Sequence, residues 1–143
     1  RQMCIRDRSY ANGGHCPPYI IDAASDAPPR MLDKLSGPLV GVIPDMEYTL
    51  FTETLKEQET CLLFTDGVTE AMNGDKELYG EARLQDFLAA HRGASPRELL
   101  TLIFSELVRF RGEEPQSDDI TMLAFCRTHS ASVAQPASPR TSS

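Results

Sequence analysis

The sequence contains no long apolar run and no excess of positive charge. Its apolar stretches fall well short of the roughly 20 residues that cross a bilayer, which argues against a membrane-spanning helix. Its start lacks the basic, apolar and small-residue pattern of a secretory signal. Lys and Arg number 14 against 21 Asp and Glu, so the formal net charge is −7 at pH 7. Because binding to a nucleic-acid backbone depends on positive charge, nucleic acid is not an expected partner.

Cysteine is scarce, and none of the four cysteines forms a C-x-x-C pair. This spacing argues against a zinc site and against a redox motif. Cys61 and Cys126 lie inside apolar runs, where cysteine usually packs as a small hydrophobic residue. We therefore expect unpaired cysteines and a cytoplasmic location.

The composition fits one compact region with unusual ends. The chain has 143 residues, of which 41% are hydrophobic, and this suits one domain or a part of a larger one. Residues 1–8, RQMCIRDR, resemble translated sequencing-adapter sequence and are interpreted as a non-native leader on a chain truncated at its N-terminus. Residues 128–143 are rich in Ser, Ala and Pro, which predicts a disordered tail. Residues 9–127 form the predicted ordered region.

Four segments have strand-like patterns. Residues 60–65 form a continuous apolar run, which predicts a central strand. Residues 47–55 alternate in polarity, which predicts a half-exposed strand. Shorter strands are predicted at residues 19–23 and 119–127, and the Gly- and Pro-rich residues 37–45 predict an ordered loop.

Two helices are predicted between the last two strands. The first covers residues 79–93, with Leu84, Phe87 and Leu88 on one face and Gly93 as its stop. The second begins at the N-cap Ser95 and ends at Gly112. Its predicted core positions are Leu99, Leu102, Ile103, Leu107 and Phe110, and Phe104 is also assigned to the core. Strands segregated from helices predict an α+β fold with helices packed on an antiparallel sheet.

Acidic residues occur where two predicted strands end or begin. Asp66 directly follows the apolar run at residues 60–65 and could either cap the next turn or bind a metal ion. Asp118 and Asp119 precede the last strand, where they could form a simple polar turn or approach Asp66. Converging carboxylates without basic partners would repel one another, and Mg²⁺ or Mn²⁺ would remove that repulsion. The residues alone leave these alternatives open.

Four segments in order resemble the C-terminal half of a PPM-type metal-dependent serine/threonine phosphatase, in the bacterial RsbU/SpoIIE-like branch. They are YANGGHCPPYI at residues 10–20, GPLVGVIPD at 37–45, LLFTDGVTEAMNGDKELYG at 62–80 and SDDITMLAF at 117–125. The resemblance implies part of an α-β-β-α sandwich, in which antiparallel sheets are flanked by helices. It also implies two Mg²⁺ or Mn²⁺ ions in the complete domain. A water activated by these metals hydrolyses phosphoserine or phosphothreonine without a phosphoenzyme.

The resemblance assigns roles to particular residues. It implies that Asp66 and Asp118 are metal ligands and that Gly67 shapes the turn beside them. No catalytic residue separate from these ligands is implied. Asp119 is expected to form the turn or to support a ligand from outside the coordination sphere.

Two further residues are weaker candidates for supporting the metal centre. Glu70 follows Asp66 by four residues and either supports a ligand or is a solvated helix residue. His15 could act as an acid, since histidine titrates near neutral pH. Its simpler role is to order the turn at Gly13 and Gly14.

The sequence departs from the family pattern in two places. The D-x-x-G-H-G segment that supplies the metal-bridging Asp is absent, and residues 12–15, NGGH, match a later strand-turn segment. We therefore expect this chain alone to bind metal weakly and to turn over little substrate. The second departure is Gln58-Glu59, where the family usually has Gly-Asp, which we expect to alter only a turn.

The resemblance also implies partners. The expected substrate is a phosphorylated protein such as an anti-sigma-factor antagonist, and an upstream sensor or receiver domain is common in relatives. A non-enzymatic regulatory module derived from the same fold is the alternative function. A haloacid-dehalogenase-like phosphatase is disfavoured, because its nucleophilic Asp would fall at Phe64.

Overall fold

The computed structural model describes residues 7–127, so the predicted tail and most of the predicted leader lie outside the described residues. Of the leader, Asp7 and Arg8 lie in the first strand, and their origin stays a prediction. The strands are β1 Asp7–Tyr10, β2 Tyr19–Asp22, β3 Arg30–Met31, β4 Phe51–Thr54, β5 Glu59–Phe64 and β6 Met122–Cys126. The α-helices are α1 Gly80–Ala90 and α2 Pro96–Arg111, and a short 3-10 turn covers Asp66–Val68.

The strands form two antiparallel sheets. The larger sheet has the order β3-β2-β5-β6, and the smaller one pairs β1 with β4. Leu62 of β5 lies opposite Tyr19 on one side and Ala124 on the other, so β5 is an inner strand. This confirms the central strand predicted from the apolar run, and the α+β class is confirmed as well.

The two faces of the larger sheet pack against different layers, because side chains alternate along a strand. Leu62 and Phe64 share one buried cluster with Leu84 of α1 and Ile103 of α2. Cys61 points the other way and belongs to a second cluster that includes Leu55 and contacts Tyr10. The layers are therefore helices, four-stranded sheet and two-stranded sheet, which form part of the sandwich that the resemblance implies.

Helix α2 has the predicted start. The Ser95 hydroxyl accepts a hydrogen bond from the Glu98 backbone N–H, and the Glu98 side chain accepts one from the Ser95 N–H. Helix α1 ends at Ala90, earlier than predicted from Gly93, with the His91 ring nitrogen Nδ1 2.8 Å from the Phe87 carbonyl oxygen.

The core of α2 is narrower than predicted. Leu99, Ile103 and Leu107 are buried, but Leu102 and Phe104 are 36% and 52% exposed. The assignment of these two residues to the core was wrong. The buried residues Leu99, Ile103 and Leu107 are spaced four apart and lie on one face of the helix. Each residue turns the helix by about 100°, so Phe104 points away from that face.

Two predicted strands are shorter in the structure. The strand predicted at residues 47–55 covers only Phe51–Thr54, because its partner β1 ends at the pair Tyr10–Phe51. The strand predicted at residues 119–127 begins at Met122, so Asp118 and Asp119 lie in the loop that precedes it. Residues 37–45 contain neither helix nor strand, as predicted.

The turn before β5 contains Gln58-Glu59, where the resemblance implies Gly-Asp. Gln58 has φ 67°, in the left-handed region that glycine adopts without strain. Its carbonyl oxygen accepts a hydrogen bond from the Ala23 N–H at 3.1 Å. The Glu59 carboxylate is buried and accepts one from the Lys56 N–H at 2.7 Å.

Within residues 7–127, Cys16, Cys61 and Cys126 are free. No helix in that range combines the length and the apolar character needed to span a bilayer.

Candidate metal centre

Asp66 is positioned by the end of the central strand. The Thr65 N–H donates to the Thr121 carbonyl oxygen at 3.0 Å, which extends the β5–β6 pairing past Phe64. A single 3-10 turn then begins at Asp66, with Thr65 as its N-cap. Asp66 therefore does not occupy the cap position. Its carboxylate accepts one hydrogen bond, from the Gly67 N–H at 3.1 Å.

The Thr65 hydroxyl ties the second acidic segment to the first. It donates to the Asp119 carbonyl oxygen at 2.8 Å and accepts from the Thr121 N–H at 3.0 Å. Gln116 adds a further contact, because its Nε2 donates to the Asp118 carbonyl oxygen at 2.7 Å. The backbone around Asp118 is thereby held beside the end of β5.

Gly67 leaves room for this approach. A Cβ atom at Gly67 would lie 2.6 Å from the Asp119 carbonyl oxygen and 3.0 Å from its carbonyl carbon, closer than real Cβ atoms come. Gly67 is not among the glycines with positive φ. The glycine is needed for space between two backbone segments rather than for a left-handed turn.

Three carboxylates converge at this place. One oxygen each of Asp66, Glu70 and Asp118 can be chosen so that all lie within 4.8 Å of one another, and all three residues are exposed. In the described part of the chain, none of the three forms an ion pair with Lys, Arg or His. Such a set of hard oxygen donors fits a divalent cation such as Mg²⁺ or Mn²⁺.

His15 and Asp119 lie outside this three-residue group. The His15 N–H donates to Asn12 Oδ1 at 2.8 Å, and Asn12 Nδ2 donates to the His15 carbonyl oxygen at 2.9 Å. His15 therefore belongs to a tight turn, and it also lines a cavity of about 440 Å³ between the two sheets. The Asp119 N–H donates to the Asp118 carboxylate at 2.7 Å, and the role of Asp119 in the turn stays a prediction.

The Cys16 thiol lies close enough to Asp66 and Glu70 for their negative charges to act on it. Burial raises the pKa of its thiol, and the negative charge of Asp66, followed by that of Glu70, raises this pKa further. The thiol therefore stays protonated at neutral pH. This proximity could not be predicted from the sequence, because no spacing rule connects Cys16 to Asp66.

Glu70, a weaker candidate from the sequence, belongs to the acidic group. The available signal was its spacing of four residues from Asp66, which places both side chains on one side of a helical turn. The structure brings Glu70 into the same group as the two predicted ligands.

Comparison with known proteins identifies the family. The model for stage II sporulation protein E (SpoIIE) matches residues 5–128. The chain belongs to the SpoIIE family. Protein IcfG from Synechocystis is 37% identical over 119 residues, which are 83% of this chain and 18% of IcfG. The phosphoserine phosphatase RsbU from Bacillus subtilis is 27% identical over 121 residues, 83% of this chain and 34% of RsbU.

A solved structure shows the same fold. This SpoIIE-family chain matches the SiaA-PP2C domain of Pseudomonas aeruginosa with a TM-score of 0.72 and 24% identity, over 86% of this chain and 47% of that chain. The resemblance to PPM-type phosphatases of the RsbU/SpoIIE-like branch is thereby confirmed. PP2C-type phosphatases depend on metal ions, and the three converging carboxylates of this chain could together hold a metal ion. The chain spans between 18% and 47% of the lengths of these three relatives.

Proposed function

We propose that this chain is part of a protein serine/threonine phosphatase and that Asp66 and Asp118 are ligands in its Mg²⁺ or Mn²⁺ centre. The observation that carries this proposal is the convergence of acidic side chains at the junction of β5 and β6 without a basic partner in residues 7–127. Membership of the SpoIIE family supports it, as does a relative that is named a phosphoserine phosphatase.

Bound divalent ions would lower the pKa of a coordinated water and stabilise negative charge on the phosphoryl group. The chain's own contribution is to hold the carboxylates of Asp66 and Asp118 at a fixed separation. Gly67 and Thr65 support this arrangement, since they let the two backbone segments pack closely. The exposure of the acids would allow a phosphorylated side chain on another protein to reach the site.

The proposed centre is incomplete within these residues. The family's D-x-x-G-H-G segment is absent from the sequence, so the Asp that bridges two metals is missing. We expect a binuclear centre in the complete domain and little or no turnover by this chain alone.

The proposed substrate is a protein that carries phosphoserine or phosphothreonine, and an anti-sigma-factor antagonist is the specific candidate. We further propose a cytoplasmic protein that takes part in bacterial signalling, with a sensor or receiver domain upstream. These proposals rest on the family resemblance.

The test is Mn²⁺-dependent hydrolysis of a phosphoserine peptide by the domain completed with an N-terminal half that carries D-x-x-G-H-G. We expect Asp66→Asn and Asp118→Asn together to abolish hydrolysis, and Asp86→Asn on α1 to leave it unchanged. Hydrolysis that survives the double substitution would refute the proposed mechanism.

A second assay addresses the fragment. Residues 1–143 alone should show no hydrolysis above the rate of free Mn²⁺. Substantial metal-dependent activity of the chain alone would refute the proposal that its site is incomplete.

A further inference from the structure

We infer that Glu70 is a direct ligand of the same cation, so that this chain alone binds one divalent ion through three carboxylates. The inference rests on the proposed metal centre and extends it. It changes the role of Glu70 from a solvated or supporting residue to a ligand.

The backbone fixes Glu70 to both ligand segments. Its N–H donates to the Asp66 carbonyl oxygen at 2.8 Å, which closes one helical turn between the two residues. Its carbonyl oxygen accepts a hydrogen bond from the Ser117 hydroxyl at 3.4 Å, directly before Asp118. Glu70 thus has one backbone contact to each of the segments that carry the other two acids.

The side chain of Glu70 has no alternative cation within the described residues. Other glutamates in this region do have one: Glu77 pairs with Arg83, Glu106 with Arg109 and Glu114 with Lys76. Glu70 instead offers a carboxylate oxygen that lies within 4.8 Å of one oxygen each of Asp66 and Asp118. A divalent cation bound among the three would replace their mutual repulsion by attraction.

The donor set also predicts the kind of ion. Three carboxylates supply hard oxygen atoms, and Mg²⁺, Mn²⁺ and Ca²⁺ prefer such ligands. Cys16 lies outside the three-residue group, so this group contains no soft sulfur ligand.

The experiment is a calorimetric titration of the 143-residue chain with MnCl₂, compared among the wild type and single variants. We expect one Mn²⁺ per chain in the wild type. Glu70→Gln should raise the dissociation constant for Mn²⁺ by about tenfold or more, since the affinity of such sites depends on the number of charged ligands.

The matched control is Glu81→Gln. Glu81 is exposed and close enough for its charge to raise the pKa of Cys16, but it lies outside the three-residue group. Removing it tests whether general negative charge near the site explains the affinity. We expect a change of less than about threefold, as for a solvent-screened charge. Far-UV circular dichroism without metal checks that each variant is folded, and Glu70→Asp should bind with intermediate affinity.

The outcomes separate this inference from the proposed function. If Glu70→Gln binds like the wild type while Asp66→Asn does not, Glu70 is not a ligand and the metal centre stands. Equal losses for Glu70→Gln and Glu81→Gln would also overturn the inference. Unchanged binding by both Asp66→Asn and Asp118→Asn would overturn the proposed centre itself. No binding by the wild-type chain would overturn the claim that the chain binds an ion alone.

Discussion

Gly67 is the residue that sets the distance between the two acidic segments. Replacing it with Ala would place a methyl group 2.6 Å from the Asp119 carbonyl oxygen, which is backbone and cannot turn away. We expect Gly67→Ala to lower the free energy of unfolding by about 1–3 kcal/mol, the usual cost of overpacking. Urea denaturation measures the change.

Gly74→Ala is the control for this substitution. A Cβ atom at Gly74 would meet nothing within 4 Å, and Gly74 is not among the glycines with positive φ. The free energy of unfolding of the Gly74→Ala variant should differ from that of the wild type by less than about 0.5 kcal/mol, as is usual for open surface positions. Equal effects of the two substitutions would contradict the close approach.

Gln58 is a residue whose backbone conformation suits glycine better. A left-handed conformation costs a non-glycine residue about 1–2 kcal/mol, and Gln58 has φ 67°. Replacing Gln58 with glycine would remove this cost, but part of the gain in stability is offset, because glycine increases the conformational entropy of the unfolded chain. We expect Gln58→Gly to raise the melting temperature slightly, whereas Gln58→Ala should not. A lower melting temperature for the glycine variant would contradict the assigned strain.

Residues of the candidate site could be predicted from the sequence only where they belong to a recognisable motif. The T-D-G and D-D-I-T motifs pointed to Asp66 and Asp118, and the structure brings both into one group. The steric role of Gly67 could not be predicted, since it depends on a backbone segment about 50 residues away. The same holds for Cys16, whose neighbours are set by the fold.

Helix α2 depends on the capping box at its start. We expect Ser95→Ala to destabilise the protein by about 1 kcal/mol, the typical loss for an N-cap serine. Ser105→Ala is the control, because Ser105 is exposed inside the same helix and Ala is the better helix former. Chemical denaturation at neutral pH should separate the two variants, and similar effects would contradict the importance of the cap.

The capping contact also has a pH dependence. The hydrogen bond from the Ser95 side chain, followed by that from its backbone N–H, lowers the pKa of the Glu98 carboxyl below its usual value. A carboxyl whose pKa is lowered by folding stabilises the protein above the unfolded pKa. This contribution is lost as the pH falls through the folded value. The difference between wild type and Ser95→Ala should therefore shrink in acid, and a difference that grew there would contradict this sign.

The difference in burial between Ile103 and Phe104 on α2 leads to a separate prediction. Ile103 is completely buried and Phe104 is 52% exposed. Ile103→Ala should cost about 2–5 kcal/mol, as large-to-small changes in a core do. Phe104→Ala should change stability by about 0.5 kcal/mol or less. Denaturation curves that ranked the two variants in the opposite order would contradict the observed orientation of the helix.

Periodicity and capping residues were enough to predict β2, β4, β5, β6 and both helices, but not their lengths, and the strands β1 and β3 were not predicted. The start of α2 followed from Ser95, Pro96 and Glu98, which are local signals. The length of β4 depends on β1, which lies about 40 residues earlier in the chain and ends at Tyr10. Phe104 was misassigned because an apolar residue on the surface looks the same in sequence as one in the core.

The antiparallel pairing of β5 with β6 explains why acidic residues so far apart in the sequence lie close together. Neighbouring antiparallel strands place the end of one beside the start of the other, and Phe64 at the end of β5 pairs with Met122 at the start of β6. The segments that carry Asp66 and Asp118 therefore leave and enter the sheet at the same edge. Sequence indicated two strands with acids at their ends, but it did not establish that these strands are neighbours.

The most direct test of the metal centre is to locate the ion. Crystals of the chain soaked in MnCl₂ should be measured at the manganese absorption edge. We expect an anomalous peak within coordination distance of carboxylate oxygens of Asp66 and Asp118, and no such peak in Asp66→Asn crystals prepared in the same way. A manganese peak elsewhere, with none between these two residues, would contradict the proposed metal centre.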